Sequence, residues 1–212
     1  MPTPFSVSLI LLPGFSLFAL GAIRSVFAAA NEVSGELLYQ IEQYAADGTQ
    51  ALTQCGISLK AESLDKLNYQ QVDLLMLIAD ERVDEHISHV VGEHLVQGLH
   101  RAQYTGEVVV GACGTAAQIL AEHGLLDGHR AAIHWQILAD AIKRYPVTVF
   151  TPGLFEIDRN RISAGAGAAV LDLLLHWLEL RHGNTFAAEV AAGLGLDRLR
   201  GSDERQPVPA SA

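Results

Sequence analysis

The stretch "VVVGACGTAAQILAEHGLLDGHRAAIHW", residues 108–135, decides the fold class. A continuous apolar run ends in Gly111, Ala112 and Cys113, a helix-like run closes at Gly124, and a second short apolar segment carries His134 and Trp135. A strand without polar alternation is one buried on both faces, which is the habit of parallel strands covered by helices. Strand, helix and strand in this order therefore predict a βαβ unit. A thiol held where such a strand turns into a helix meets unpaired N–H groups that favour the thiolate, and a histidine from the next segment can orient or protonate its partner. A buried structural cysteine next to a polar pocket histidine produces the same pattern.

The rest of the chain repeats the rhythm. Phe5 to Leu12 and "VDLLMLIA", residues 72–79, read as two more strands buried on both faces, and "EVVVGA", 107–112, as a third. Leu17 to Asn31 reads as a helix, "YQIEQYA" as an alternating strand before the turn Asp47-Gly48, and "GISLKAE" as a short edge segment. Residues 84–103 and "TAAQILAEHG" are helical in period, the latter closed by Gly124. Downstream come "AAIHW", the helix "QILADAIKRYP", the strand "VTVF", the hairpin "LFEIDRNRISAG" and the apolar helix "AAVLDLLLHWLELRHG". The prediction is a single-domain α/β fold, a mostly parallel sheet sandwiched by helices, with ligands outside the carboxyl ends of the strands. The last helix is apolar nearly all round, which calls for burial on several sides, a second subunit being one candidate cover.

The chain has 212 residues and is half apolar, enough for one domain with a sizeable core. A net charge of −10, with no Lys/Arg cluster larger than a pair such as Lys143-Arg144, argues against direct nucleic-acid binding by this chain. Cys55 and Cys113 form neither a disulfide framework nor a metal knuckle, and His86, His89, His94 and His100 lack a His-x-x-x-His arrangement, so no metal and no cofactor is expected. The N-terminal apolar run imitates a secretory signal, but no Lys or Arg precedes it and Pro13-Gly14 divides it. A cytoplasmic protein with no membrane partner is the expectation. After Leu199 the sequence becomes "RGSDERQPVPASA", polar and with two prolines, so residues 1–199 are predicted as the domain and 200–212 as an interdomain linker or disordered tail.

The segments "LLPGFSLFAL" (11–20), "GLLDGHRAAIHW" (124–135), "AGAGAAVLDLLLHWLELRHG" (164–183) and "LDRLRGSDERQPVP" (196–209) resemble the PfpI-like sensor domain of GlxA-type regulators of the AraC family. The resemblance spans nearly the whole chain. It implies a flavodoxin-like, class I glutamine amidotransferase-like fold, a small-molecule effector such as an amine, amino acid or quaternary ammonium compound, a homodimer, and DNA contact only through a C-terminal helix-turn-helix domain outside this chain. Superfamily enzymes carry a cysteine at the elbow and a carboxylate on the first helix. Ungapped spacing back from Gly124 puts Gly114 at the elbow, Thr115 at the following threonine, and Cys113 one residue early. The first-helix acid position falls on Ala19.

His134 and Trp135 match the family's His-Trp pair. Asp80 and Glu81, at the carboxyl end of a central strand, offer negative charge to a cationic ligand, or else form a solvated acidic loop. The candidate ligand-binding residues are thus Ala19, Asp80, Glu81, Cys113, Gly114, Thr115, His134 and Trp135, in a pocket that has lost its catalytic groups. The alternative is a stand-alone cysteine enzyme, an isonitrile hydratase or a glyoxalase- or hydrolase-like protein, using Cys113 and His134.

Overall fold

A computed structural model describes residues 3–80, 83–102 and 108–207. In chain order the elements are β1 (Phe5–Leu11), α1 (Leu17–Ser34), β2 (Tyr39–Ala45), β3 (Gln50–Leu52), β4 (Ser58–Lys60), β5 (Glu62–Ser63) and β6 (Leu74–Ile78). Next come α2 (Glu85–Ala102), β7 (Val109–Cys113), α3 (Ala117–Glu122), β8 (Arg130–Ala132), α4 (Trp135–Arg144) and β9 (Val149–Thr151). The series closes with β10 (Phe155–Asp158), β11 (Arg161–Ala164), α5 (Ala169–His182) and α6 (Asn184–Gly193). Among the described residues the main sheet has seven strands in the order β10-β11-β7-β6-β1-β2-β5, every neighbouring pair parallel except the β10–β11 hairpin.

Period-two alternation divides the core into two layers. Val7, Leu9, Leu11, Leu74, Met76, Ile78 and Cys113 pack with residues of α1, α5 and α6, whereas Ile10, Leu75, Leu77, Val110 and Ala112 pack with those of α2, α3 and α4. Both faces of β1, β6 and β7 are covered, which is why these strands read as unbroken apolar runs. The helix α1 is long and apolar enough to cross a membrane by length and composition, but its Ile23, Val26, Phe27 and Ala30 are buried in the core. Ser16 caps its start by accepting from the Ala19 amide at 3.2 Å, and it runs past Asn31 until Gly35 closes it in a left-handed conformation.

Several details depart from the sequence reading. The segment "AAIHW" is only partly a strand: β8 stops at Ala132, and His134 and Trp135 form the start of α4. With β9 it makes a separate two-stranded parallel ladder. The "GISLKAE" stretch divides into β4, antiparallel to β3, and β5, on the main sheet's edge. Helix α6 follows α5 directly after Gly183, and the two pack against each other and α1, so most of the apolar surface of α5 is covered within the chain while Leu180 stays exposed. Gln103 and Glu107 lie outside the described residues.

The expected linker or tail is docked over its described part. Arg200 donates to the buried Asp172 carboxylate through its backbone N–H (2.9 Å), Nε (3.0 Å) and Nη2 (2.6 Å), and Gln206 is buried. Residues 208–212 lie outside the described residues. A polar composition marks a segment with no core of its own, yet a guanidinium seated on a buried carboxylate and a buried carboxamide dock it here.

Truncating the fully buried Leu77 to alanine is expected to cost about 2–5 kcal/mol in urea unfolding. The same change at Leu180, on the exposed side of α5, should stay within about 0.5 kcal/mol.

Candidate functional site

The carboxyl ends of β6 and β7 meet the start of α4 at one point. β6 and β7 are in register so that Ile78 lies beside Cys113, and the Cys113 carbonyl accepts from the Ala79 N–H at 3.2 Å. Cys113 is still extended, with φ −124° and ψ 133°, and as the odd-numbered partner of Gly111 it belongs to the α1 and α5 side of the sheet. Its side chain is fully buried.

Gly114 makes the turn. Its φ is +72°, a left-handed value, and a β-carbon there would run into the Ala79 carbonyl oxygen. A short 3-10 turn, Gly114–Ala116, then feeds α3, with Thr115 buried in it. The strand-to-helix turn is therefore made at residue 114, and the thiol precedes it.

His134 comes to the same place from the other side. Its backbone N–H donates to the Gly114 carbonyl at 3.4 Å, and it caps α4, its Nδ1 accepting from the Gln136 amide at 3.4 Å. Trp135 is adjacent, the ring centroids 5.6 Å apart, and both side chains are half-buried. Asp80, half-buried just past β6, is close enough for its charge to act on both Cys113 and His134. Ala19 is fully buried in the first turn of α1, where a β-carbon on Gly167 would touch it, so the first-helix position contributes packing and no charge. Glu81 lies outside the described residues.

The electrostatics follow from burial. Enclosure pushes the Cys113 thiol up to about 12, and the Asp80 carboxylate pushes in the same direction. Such a thiol is protonated at neutral pH, and a protonated thiol is a poor nucleophile. Burial lowers the proton affinity of His134 below the usual imidazole value, with Asp80 opposing. The arrangement thus presents a carboxylate, a neutral imidazole and an indole around a glycine turn, groups suited to holding a small cationic or amphipathic molecule. No cluster of three His, Cys, Asp or Glu side chains able to hold a metal exists among the described residues.

Sequence reasoning missed one residue at this site. The Gln206 side chain accepts from the Trp135 N–H at 3.1 Å and donates to the carbonyl of Ile133 at 2.9 Å, so it grips both neighbours of His134. Nothing in the local sequence signals this, because the contact spans 71 positions and Gln206 sits in a polar, proline-containing stretch.

Comparison with known proteins gives a consistent result. No protein-family model matches the chain. The chain is 33% identical over 198 residues to the HTH-type transcriptional regulator CdhR of Pseudomonas aeruginosa, covering 93% of this chain and 56% of that protein. It spans about half the length of the curated regulators it matches. Among solved structures, an AraC family transcriptional regulator from Pseudomonas putida superposes with a TM-score of 0.76 at 25% identity, over 90% of this chain and all of that one. A THiJ/PfpI family protein from Pseudomonas syringae superposes with a TM-score of 0.72 at 16% identity, over 99% and 80% of the two chains, a likeness of fold.

The geometry makes three outcomes measurable. Gly114→Ala should lower stability by about 2–4 kcal/mol in denaturant unfolding, from left-handed strain added to the carbonyl clash. Iodoacetamide at about pH 8 should label the exposed Cys55 and leave Cys113 unmodified until the protein is unfolded, as peptide mass mapping would reveal. Because folded His134 binds its proton less readily than unfolded His134, its share of stability is complete above about pH 6.5 and is lost as the pH falls below that value. His134→Asn should therefore flatten the dependence of the melting temperature on pH between about 7.5 and 5.5.

Proposed function

For a PfpI-like chain homologous to AraC-type helix-turn-helix transcriptional regulators, we propose the role of effector-sensing, dimerising regulatory domain, cytoplasmic and non-catalytic, whose DNA contact is made by a separate helix-turn-helix domain. The effector is a small cationic metabolite, an amine, amino acid or quaternary ammonium compound, held between Asp80, the Gly114–Thr115 turn, His134 and Trp135. The observation that carries this reading is the elbow itself: glycine occupies the left-handed position, and the only cysteine nearby is sealed in the core.

A carboxylate beside an indole and an imidazole favours a cation that is partly stripped of water, through charge and through the ring faces. With Ala19 on the first helix and a protonated thiol at residue 113, neither the activated nucleophile nor the acid of a cysteine enzyme is supplied. Regulation then operates by differential binding, the effector favouring one arrangement of the two-domain dimer over another.

The test is a thermal-shift series with putrescine, L-arginine, choline and glycine betaine, each followed by titration calorimetry. An effector present at about 100 times its Kd stabilises the folded state by about 2.7 kcal/mol, which for a domain of this size raises the melting temperature by roughly 5–10 °C. Asp80→Asn should remove most of that rise and Cys113→Ala should leave it intact. A panel without any shift, or a shift indifferent to Asp80→Asn, would overturn the assigned site. Turnover of any substrate that Cys113→Ala abolishes would overturn the non-catalytic role. Light scattering at micromolar concentration should give the mass of a dimer.

A further inference from the structure

The segment that follows α6 crosses the surface and ends against the residues that carry His134. Its first anchor is the buried Asp172 on α5, which takes three hydrogen bonds from Arg200, while the Arg200 carbonyl lies 3.2 Å from His176 Nε2. Arg198 pairs with Glu204 through its two terminal guanidinium nitrogens, Nη1 and Nη2, at 3.0 and 3.2 Å, folding the segment on itself. The Glu204 carbonyl then accepts from the Leu154 N–H at 2.9 Å, and the Gln206 N–H donates to the Pro152 carbonyl at 3.2 Å. These bonds lay the segment as a short antiparallel strap along residues 152–154, with Arg205 opposite Gly153.

The end of the strap is its most specific part. The buried Gln206 side chain uses its amide on three backbone groups: Nε2 donates to the carbonyls of Ile133 (2.9 Å) and Gly153 (3.1 Å), and Oε1 accepts from the Trp135 N–H (3.1 Å). It covers Gly165, where no β-carbon would fit. The Trp135 N–H is among the first of α4 and has no partner inside the helix, so Gln206 supplies what a local cap would. Only a carboxamide meets all three demands at this size, since glutamate would set an anionic oxygen against two carbonyls and methionine would leave all three groups unpaired.

We propose that residues 198–207 form a strap whose docking fixes the His134–Trp135 turn, making Gln206 a positioning residue of the candidate effector site. The inference rests on reading that site as the place where the effector binds. His134 stands between the two residues that Gln206 holds, and its own backbone closes on Gly114. Displacing the strap therefore frees the turn, and an effector engaging His134 favours the docked strap by the reciprocity of linked equilibria.

The experiment is amide hydrogen exchange followed by NMR on the 212-residue chain, without any added compound, so it decides the strap whether or not cationic metabolites bind at Asp80. The reporters are the His134 and Gln136 amides, which bond the Gly114 carbonyl and His134 Nδ1 and make no bond to Gln206. Gln206→Ala and the isosteric Gln206→Glu should each speed their exchange roughly five- to tenfold, the effect of about one lost hydrogen bond, while the Met76 and Leu77 amides of β6 keep their protection. Reciprocally, His134→Ala should speed exchange of the Leu154 and Gln206 amides by a similar factor. Rates at His134 and Gln136 within about twofold of the parent in both variants would overturn the proposal, because the strap would then dock without reaching the site. Parent-like exchange in Gln206→Glu alone would also overturn it, since Gln206 would then only fill space.

Discussion

Where β7 ends against the Ala79 carbonyl there is no room for a β-carbon at residue 114, and the chain passes through a left-handed angle that glycine takes at least cost. That crowded turn directs everything around it. The residue before it, Cys113, is still extended and belongs to the α1 and α5 layer, and the residues after it curl into the short turn that starts α3. The carbonyl of Gly114 accepts the His134 amide, so the start of α4 is tied to the end of β7. The chemistry of the site consequently comes from its flanks, Asp80 on one side and His134 and Trp135 on the other.

A shift of one residue on a strand moves a side chain from one face to the other, and here the extended Cys113 lies in the core on the α1 and α5 side while the turn falls on Gly114. Burial alone keeps Cys113 protonated, and the nearby carboxylate reinforces this. Proteins that share this fold include transcriptional regulators and THiJ/PfpI proteins, so the fold is a scaffold and the site has to be read residue by residue. The candidate site offers one carboxylate, an imidazole and an indole beside the glycine turn.

A second constraint is that polar groups removed from water need partners. Asp172 in the middle of α5 finds Arg200, and the groups on both sides of His134 find Gln206. Both partners come from the segment after α6, so the domain's own polar requirements hold that segment in place. The segment after α6 reaches the candidate site because Gln206 bonds the two residues that flank His134.

Much of this was legible in the sequence, because burial on both faces leaves an unmistakable mark. The apolar runs at 5–12, 72–79 and 107–112, separated by helical periods, predict a parallel sheet between helices. The breaks within "AAIHW" and after Gly183 were not legible, since short apolar pieces carry no clear period. Nor was the strap: the bonds that anchor it to Asp172 and to Ile133 join positions 28 and 73 residues apart, and composition reports only that such a segment lacks a core. The sequence by itself thus determined the layers and the strand order's parallel sense, which depend on local period and spacing. Only the tertiary structure decided which face the thiol occupies and what grips His134, because both follow from which distant backbone groups are brought together without water.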